Sequence, residues 1–195
     1  MGLTGKNNEE KAWNFLKGKI PNDFGVAGLM GELFAESGLN PQNLQNSYEK
    51  KLGFTDATYT AAVDSGSYAN FVHDSAGYGV AQWTFWSRKE ALLNYVRALG
   101  VSIGDLEAQL GFLYKELSES YPSVLATLKT ATSVRAASDK VLTDFERPAD
   151  QSEAVKIKRA SYGQMYYDKY AKAVASTPSE GGNNMSNSPL VNCTV

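Results

Sequence analysis

The sequence predicts a mainly α-helical single domain, and three observations lead to that expectation. Apolar residues recur at helical spacing over most of the chain up to about residue 174. Capping residues and helix stops fall at intervals suited to helices of ordinary length. The 195 residues, 43% hydrophobic and 21% charged, suffice for one well-packed core and are few for two.

In chain order, Asn8 is placed to cap a helix from Glu9 to about Lys19, with Ala12, Phe15 and Leu16 at core spacing. Pro21-Asn22-Asp23 opens a second helix running to about Glu36. Further helices are expected over 87–99, 103–119, 122–131, 133–146 and 151–173, with Gly100 and Pro122 as punctuation and Asp150 as an N-cap. Between Asn40 and Trp86 the pattern breaks into short pieces rich in Tyr, Ser, Asn and Gly, an irregular segment with room for short β pairings. Such a segment inside a compact helical domain usually carries function.

Residues 1–173 therefore read as one domain and 174–195 as something else. Ala175 to Asn187 (ASTPSEGGNNMSN) is small and polar without apolar periodicity, which is linker composition. The last stretch, Ser188 to Val195, turns apolar again. It reads either as the truncated start of a further module or as a frayed tail. The N-terminus lacks the apolar core of a signal peptide, and the apolar run Phe24 to Met30 is too short to span a bilayer, so no membrane insertion is expected.

Charge and scarce residues exclude several chemistries. A net charge of −2 offers no basic surface for nucleic acid. One histidine, His73, and one cysteine, Cys193, cannot build a zinc site, so no metal or other cofactor is expected. They also make poor partners for a nucleophilic triad or pair, and they allow no internal disulfide. If the chain hydrolyses anything, carboxylates are the workers.

Two constellations hold candidates. On the helix from Asp23 to Glu36, Val26, Ala27, Leu29, Met30, Leu33 and Phe34 fill one continuous arc; Glu36 falls on its rim and Glu32 further toward solvent. Gly38 and Pro41 end the helix just beyond Glu36. A half-desolvated carboxyl there suits a general acid, and a solvated terminal glutamate is the plainer alternative. The second constellation runs from His73-Asp74 through Gly77-Tyr78-Gly79-Val80-Ala81-Gln82-Trp83 to Trp86. It offers close backbone approach at its glycines, an amide donor and acceptor at Gln82, and flat apolar faces at Tyr78, Trp83, Phe85 and Trp86. The alternative is a tight turn followed by core aromatics.

Taken together, Glu36-Ser37-Gly38-Leu39-Asn40-Pro41 followed by Gly77-Tyr78-Gly79-Val80-Ala81-Gln82 resembles the lysozyme superfamily, in particular goose-type lysozymes and soluble lytic transglycosylases. The chain looks most like the phage tail lysozyme and endolysin family, in which Phe145-Glu146-Arg147-Pro148 and a tyrosine-rich last helix also recur. The likeness covers about residues 10 to 173. It implies a lysozyme-like fold that cleaves the β-1,4-glycosidic bonds of bacterial peptidoglycan, with Glu36 as the acid that protonates the glycosidic oxygen. By the same resemblance Gln82 lines the sugar-binding cleft and Ser37 supports the local turn; together with Tyr78, Trp83 and Trp86, whose flat faces suit sugar rings, they are the substrate-binding candidates. Asp74 matches, approximately, an aspartate that positions the attacking water; Asp56 and Asp64 are weaker candidates for that second carboxylate. Gly77 stands where hen-type lysozymes carry an aspartate, which speaks against a nucleophilic aspartate.

If Asp74 directs water, its carboxyl should stand roughly 6.5–9.5 Å from that of Glu36. A lytic transglycosylase needs Glu36 alone. Muramidase specificity is favoured over glucosaminidase, and a non-catalytic wall-binding domain is the rival of another class. The resemblance further implies a phage enzyme held in the host cytoplasm until release to the wall, or one carried on a virion. Lys156, Lys158, Arg159 and Lys169 read as a solvated face, Glu146 with Arg147 as a structural pair, and Tyr162, Tyr166, Tyr167 and Tyr170 as core or cleft wall.

Overall fold

The computed structural model describes residues 2–172, so both the linker and the further module expected beyond residue 173 lie outside the described residues. Helices dominate: α1 (Asn8–Lys19), α2 (Asp23–Ser37), α3 (Asn46–Leu52), α4 (Asp56–Asp64), α5 (Trp86–Leu99), α6 (Leu106–Glu119), α7 (Pro122–Thr130), α8 (Val134–Val141) and α9 (Glu153–Tyr166). Wider π-helical turns continue α8 over Leu142–Glu146 and α9 over Tyr167–Ala171. The helices expected from the sequence are present, within a residue or a few at their ends. The cap of α1 is Asn7 rather than Asn8, its side chain accepting from the Glu10 N–H. Asp150 does not cap α9; its carboxylate accepts from the Ser152 N–H, in the turn before that helix.

The segment between Asn40 and Trp86 is more ordered than its composition suggests. It contains α3 and α4, and two isolated antiparallel bridges, Leu44 with Tyr78 and Tyr78 with Trp83. Thr55 and Thr58 close a reciprocal capping box at the start of α4.

Helix α2 is the axis of the molecule. Asn22 caps it, accepting from the Phe24 and Gly25 N–H groups, while its amide donates to the carbonyls of Lys129 and Ala131 at the end of α7. The apolar arc expected from the sequence is buried, apart from the half-buried Phe34, and so is the opposite side. That second face is built from Gly25, Gly28 and Gly31. A Cβ at Gly25 would lie 1.8 Å from the Leu128 carbonyl oxygen, one at Gly28 2.5 Å from Ala137 Cβ, and one at Gly31 2.4 Å from the Gly163 nitrogen. Three helices, α7, α8 and α9, thus meet α2 at near backbone contact. Glu32, expected toward solvent, is fully buried because α8 and α9 cover its side of the helix. The tyrosines of the last helix join the core: Tyr167 stacks on Phe24, Tyr170 on Trp13, and Tyr162 and Tyr166 set edges against Phe34.

Candidate active site

Helix α2 ends at Ser37, and Gly38 turns the chain out of it in the left-handed region at φ 62°. That stop leaves Glu36 in the last turn, where its carboxyl reaches a groove made of two adjoining cavities of about 440 and 370 Å³ that share Glu36, Gln45 and Gln82. Phe85, Arg88, Glu146 and Pro148 line the first; Asn43, Asn46 and Ser47 line the second. A larger cavity of about 610 Å³ lies between α1, α5 and α6. Of its two carboxylates, Asp105 caps α6 by accepting from the Ala108 N–H and Glu107 stands in the first turn of that helix.

Glu36, Arg88 and Glu146, which line the groove, belong to a charge cluster drawn from five elements. Arg159 of α9 places Nη1 2.5 Å from Glu36 Oε1 and 2.9 Å from Glu32 Oε2. Glu32 also accepts from the Ser138 hydroxyl of α8 at 2.6 Å. Arg88 of α5 forks onto Glu116 of α6 through two nitrogens, at 2.8 and 3.0 Å. Glu146, at the end of the π-helical turn, lines the groove with its Oε1 covered and without a hydrogen-bond partner. Burial pushes the Glu146 carboxyl well above the usual carboxylate range, and the nearby Glu36 charge adds to the effect, against the opposing pull of Arg88 and Arg159. Burial also raises Glu32, against its bonds to Ser138 and Arg159.

The Gly77–Trp83 segment folds back under the end of α2. The Ser37 hydroxyl lies 2.9 Å from the Val80 carbonyl and 3.1 Å from the Leu33 carbonyl. Ser37 thus staples the turn to α2, and although largely buried it also lines the second cavity. Gln82 does line the groove. Its amide nitrogen donates to Asn43 and to the Gly79 carbonyl, which holds the residue at φ 45°, in the left-handed region that a non-glycine seldom adopts. Leu39 and Arg147, flanking the same groove in sequence, also have positive φ.

Tyr78 and Trp83, expected at the substrate, are core residues instead. Tyr78 is fully buried with its hydroxyl 2.6 Å from that of Thr60, and Trp83 donates its indole N–H to Glu116 at 2.7 Å. A half-buried sheet-like turn must bury one face, and theirs is the buried one. Trp86 remains open at 49% exposure, beside Phe85 at 61% and 6.3 Å from the His73 ring.

Asp74 departs furthest from expectation. Its side chain and that of Lys89 have no exposure at all, and Nζ stands 2.5 Å from Oδ1. Tyr59 donates to the other oxygen at 2.5 Å and Tyr68 at 3.2 Å. An aspartate whose two oxygens are held by a buried ammonium and two phenols has no opening toward the groove, and it lines neither of the two cavities. Asp56 accepts from the Leu44 N–H and the Asn40 amide, and Asp64 from Ser102 and the Ile103 N–H, so both are loop supports.

This groove, at a glutamate closing a buried helix, can be set beside known proteins. The model of the phage tail lysozyme family matches residues 7–170. The chain belongs to the phage tail lysozyme family. No curated protein and no solved structure matches it.

A phage tail lysozyme is a peptidoglycan hydrolase of glycoside hydrolase type, and the helical architecture here agrees with that class. Among the described residues of this lysozyme, no helix is long and apolar enough to cross a membrane, and no group of histidine, cysteine and carboxylate side chains is arranged to hold a metal. The residues that sequence reasoning missed are Glu146, Arg159 and Arg88. Arg159 was expected on a solvated face but is largely covered between Glu32 and Glu36. Glu146 was expected to pair with Arg147, whose Nε instead donates to the Asp144 carbonyl. The one signal for Glu146 was the Glu-Arg-Pro string, because a proline two residues on forces a helix end there, as Gly38 does after Glu36.

Proposed function

We propose that the protein cleaves the β-1,4 bond on the reducing side of N-acetylmuramic acid, with Glu36 as the proton donor. The observation that carries this reading is the setting of Glu36: the last turn of a buried helix, opening on a groove of two adjoining cavities edged by the exposed Phe85 ring. Glu36 gives its proton to the glycosidic oxygen as the C1–O bond breaks. In hydrolysis the water oxygen then bonds to C1, and the proton it loses returns to the carboxylate. The free face of Trp86, with Phe85 beside it, suits stacking against a sugar ring, and the Gln82 carbonyl side fits an acetamido N–H.

The burial of Asp74 favours a second reading. With that carboxylate engaged by Lys89, the muramic acid hydroxyl can serve as nucleophile in place of water, which makes a lytic transglycosylase. Mass spectrometry of digested, borohydride-reduced peptidoglycan separates the two. Reducible muramic acid ends are expected for the muramidase, and anhydro-muramic ends identify the transglycosylase; reducible glucosamine ends overturn both. Glu36→Gln should lower turnover at least about a hundredfold while leaving the circular dichroism spectrum and wall binding in place. A non-catalytic wall-binding domain would release no fragments even as the wild type.

A further inference from the structure

The two cavities of the groove meet at Glu36, Gln45 and Gln82, and the two glutamines there present opposite hydrogen-bonding ends. In Gln82 the amide nitrogen is fully engaged. It donates to the Asn43 carbonyl at 3.1 Å, to Asn43 Oδ1 at 2.9 Å and to the Gly79 carbonyl at 3.1 Å. Three acceptors around one end of an amide fix the nitrogen there and leave Oε1 as the free end. In Gln45 the reverse holds. Its Oε1 accepts from the Gly77 N–H at 3.0 Å, so Nε2 with its two N–H donors is the free end. Neither free end has a hydrogen-bond partner among the described residues, and neither is covered.

Both amides are anchored at Gly77. Gln45 stands at the N-cap position of α3, yet its side chain does not cap that helix. Its backbone N–H donates to the Gly77 carbonyl at 2.9 Å while its Oε1 takes the Gly77 N–H, so backbone and side chain both hold this glycine. A Cβ at Gly77 would lie 2.8 Å from Gln82 Oε1 and 3.4 Å from Gln45 Oε1. The two amides therefore lie over one backbone position, with glycine leaving them room. Held this way, they have little rotamer freedom left to lose when a ligand arrives. A fixed acceptor and a fixed donor side by side match a secondary amide, which offers one N–H and one carbonyl. Both sugars of peptidoglycan carry that group, as an acetamide.

We propose that Gln45 is a specificity-determining residue: its Nε2 donates to the acetamide oxygen of the sugar bound beside Glu36, while Gln82 Oε1 accepts that acetamide's N–H. The inference rests on the reading of the groove as a glycan cleft with Glu36 as proton donor. A sugar without the acetyl group leaves the Gln45 donor with no carbonyl to meet, so the clamp selects N-acetylated over de-N-acetylated glycan.

The test compares kcat and KM on soluble glycan strands, native and chemically de-N-acetylated, for the wild type and Gln45→Leu. Beside it, nitrogen-15 NMR follows the side-chain amides of the wild type as tetra-N-acetylchitotetraose is added, or cellotetraose, which has hydroxyls in place of acetamides. The wild type should favour native strands at least about tenfold in kcat/KM. Gln45→Leu should lose about three- to tenfold on native strands, mainly through KM, and little on de-N-acetylated ones, so that the preference shrinks. The Gln45 amide signal should move with the chitin oligomer and not with cellotetraose. An equal loss on both substrates overturns the proposal by leaving Gln45 as a support for the Gly77 turn, and so does a wild type indifferent to N-acetylation. If Gln45→Leu does not fold, the wild-type NMR decides, and a Gln45 amide unmoved by the chitin oligomer overturns the clamp. Failure of the underlying reading looks different: E36Q would still cleave native strands at the wild-type rate while the Gln45 signal moved as expected.

Discussion

At the scale of single residues, the contrast between Asp74 and Glu36 shows what decides whether a carboxylate is chemistry or scaffold. Asp74 has its oxygens covered by Lys89, Tyr59 and Tyr68, and burial pulls the Lys89 ammonium below its ordinary value while the Asp74 contact opposes that pull. Removing one member of such a pair leaves the other charge without a partner in the core. Asp74→Asn should therefore destabilise the fold by about 3–5 kcal/mol in urea denaturation. Activity per folded molecule, measured well below the melting temperature, should stay within about twofold of wild type. Unchanged stability with lost turnover would return Asp74 to the catalytic machinery. The motif around Asp74 was readable in the sequence, but the direction of its side chain was not. That direction is fixed by Lys89 on α5, fifteen residues on and without any local signature. Glu36 was legible because a helix stop sits two residues after it.

At the scale of elements, the glycines of α2 determine where the charge cluster forms. A helical-wheel reading sees apolar side chains and finds one buried arc; it is blind to Gly25, Gly28 and Gly31, which carry no side chain yet mark the tightest packing. This is why Glu32 and Arg159 were misplaced toward solvent, although the helices bearing them were legible to within a few residues. Gly31 and Gly163 face each other across the α2–α9 crossing, four residues from Arg159 in one helix and five from Glu36 in the other. A methyl at residue 31 meets the Gly163 nitrogen at 2.4 Å and the Arg159 carbonyl oxygen at 2.8 Å, both backbone atoms that cannot rotate away. Gly31→Ala should cost about 1–3 kcal/mol or more and push α9 outward, carrying the guanidinium off Glu36. Thermal denaturation should show the loss. The surviving folded enzyme should also turn over more slowly, an effect that Gly18→Ala, at a position with open space around it, should not produce.

At the scale of the whole molecule, the cluster that serves the groove also sets how stability responds to pH. Glu32 and Glu146 both titrate above the ordinary glutamate value of 4.5 in the folded protein, chiefly through burial. Between that value and the raised ones, the folded protein holds protons that the unfolded chain has already released. Stability must therefore fall as pH rises through that window, by up to about 1.4 kcal/mol per pH unit for each such proton. Below 4.5 both carboxyls are protonated in both states, and this contribution is fully present. The half-buried Asp144 and the exposed Asp150 and Asp168 act in the opposite sense, their lowered values favouring the fold above the ordinary 3.8 and losing that effect as pH falls below it. Their window lies under that of the glutamates, so the two sets do not cancel in the range from 4.5 upward. Urea denaturation at intervals from pH 4.5 to 7.5 should give a folding free energy that declines with pH, contrary to the common pattern in which carboxylates stabilise as they ionise. Glu146→Gln removes one of the retained protons and should flatten the decline by up to one proton's slope. A wild-type free energy that rises across this range would mean that the buried glutamates are ionised throughout, and the charge cluster would then be a set of ordinary ion pairs.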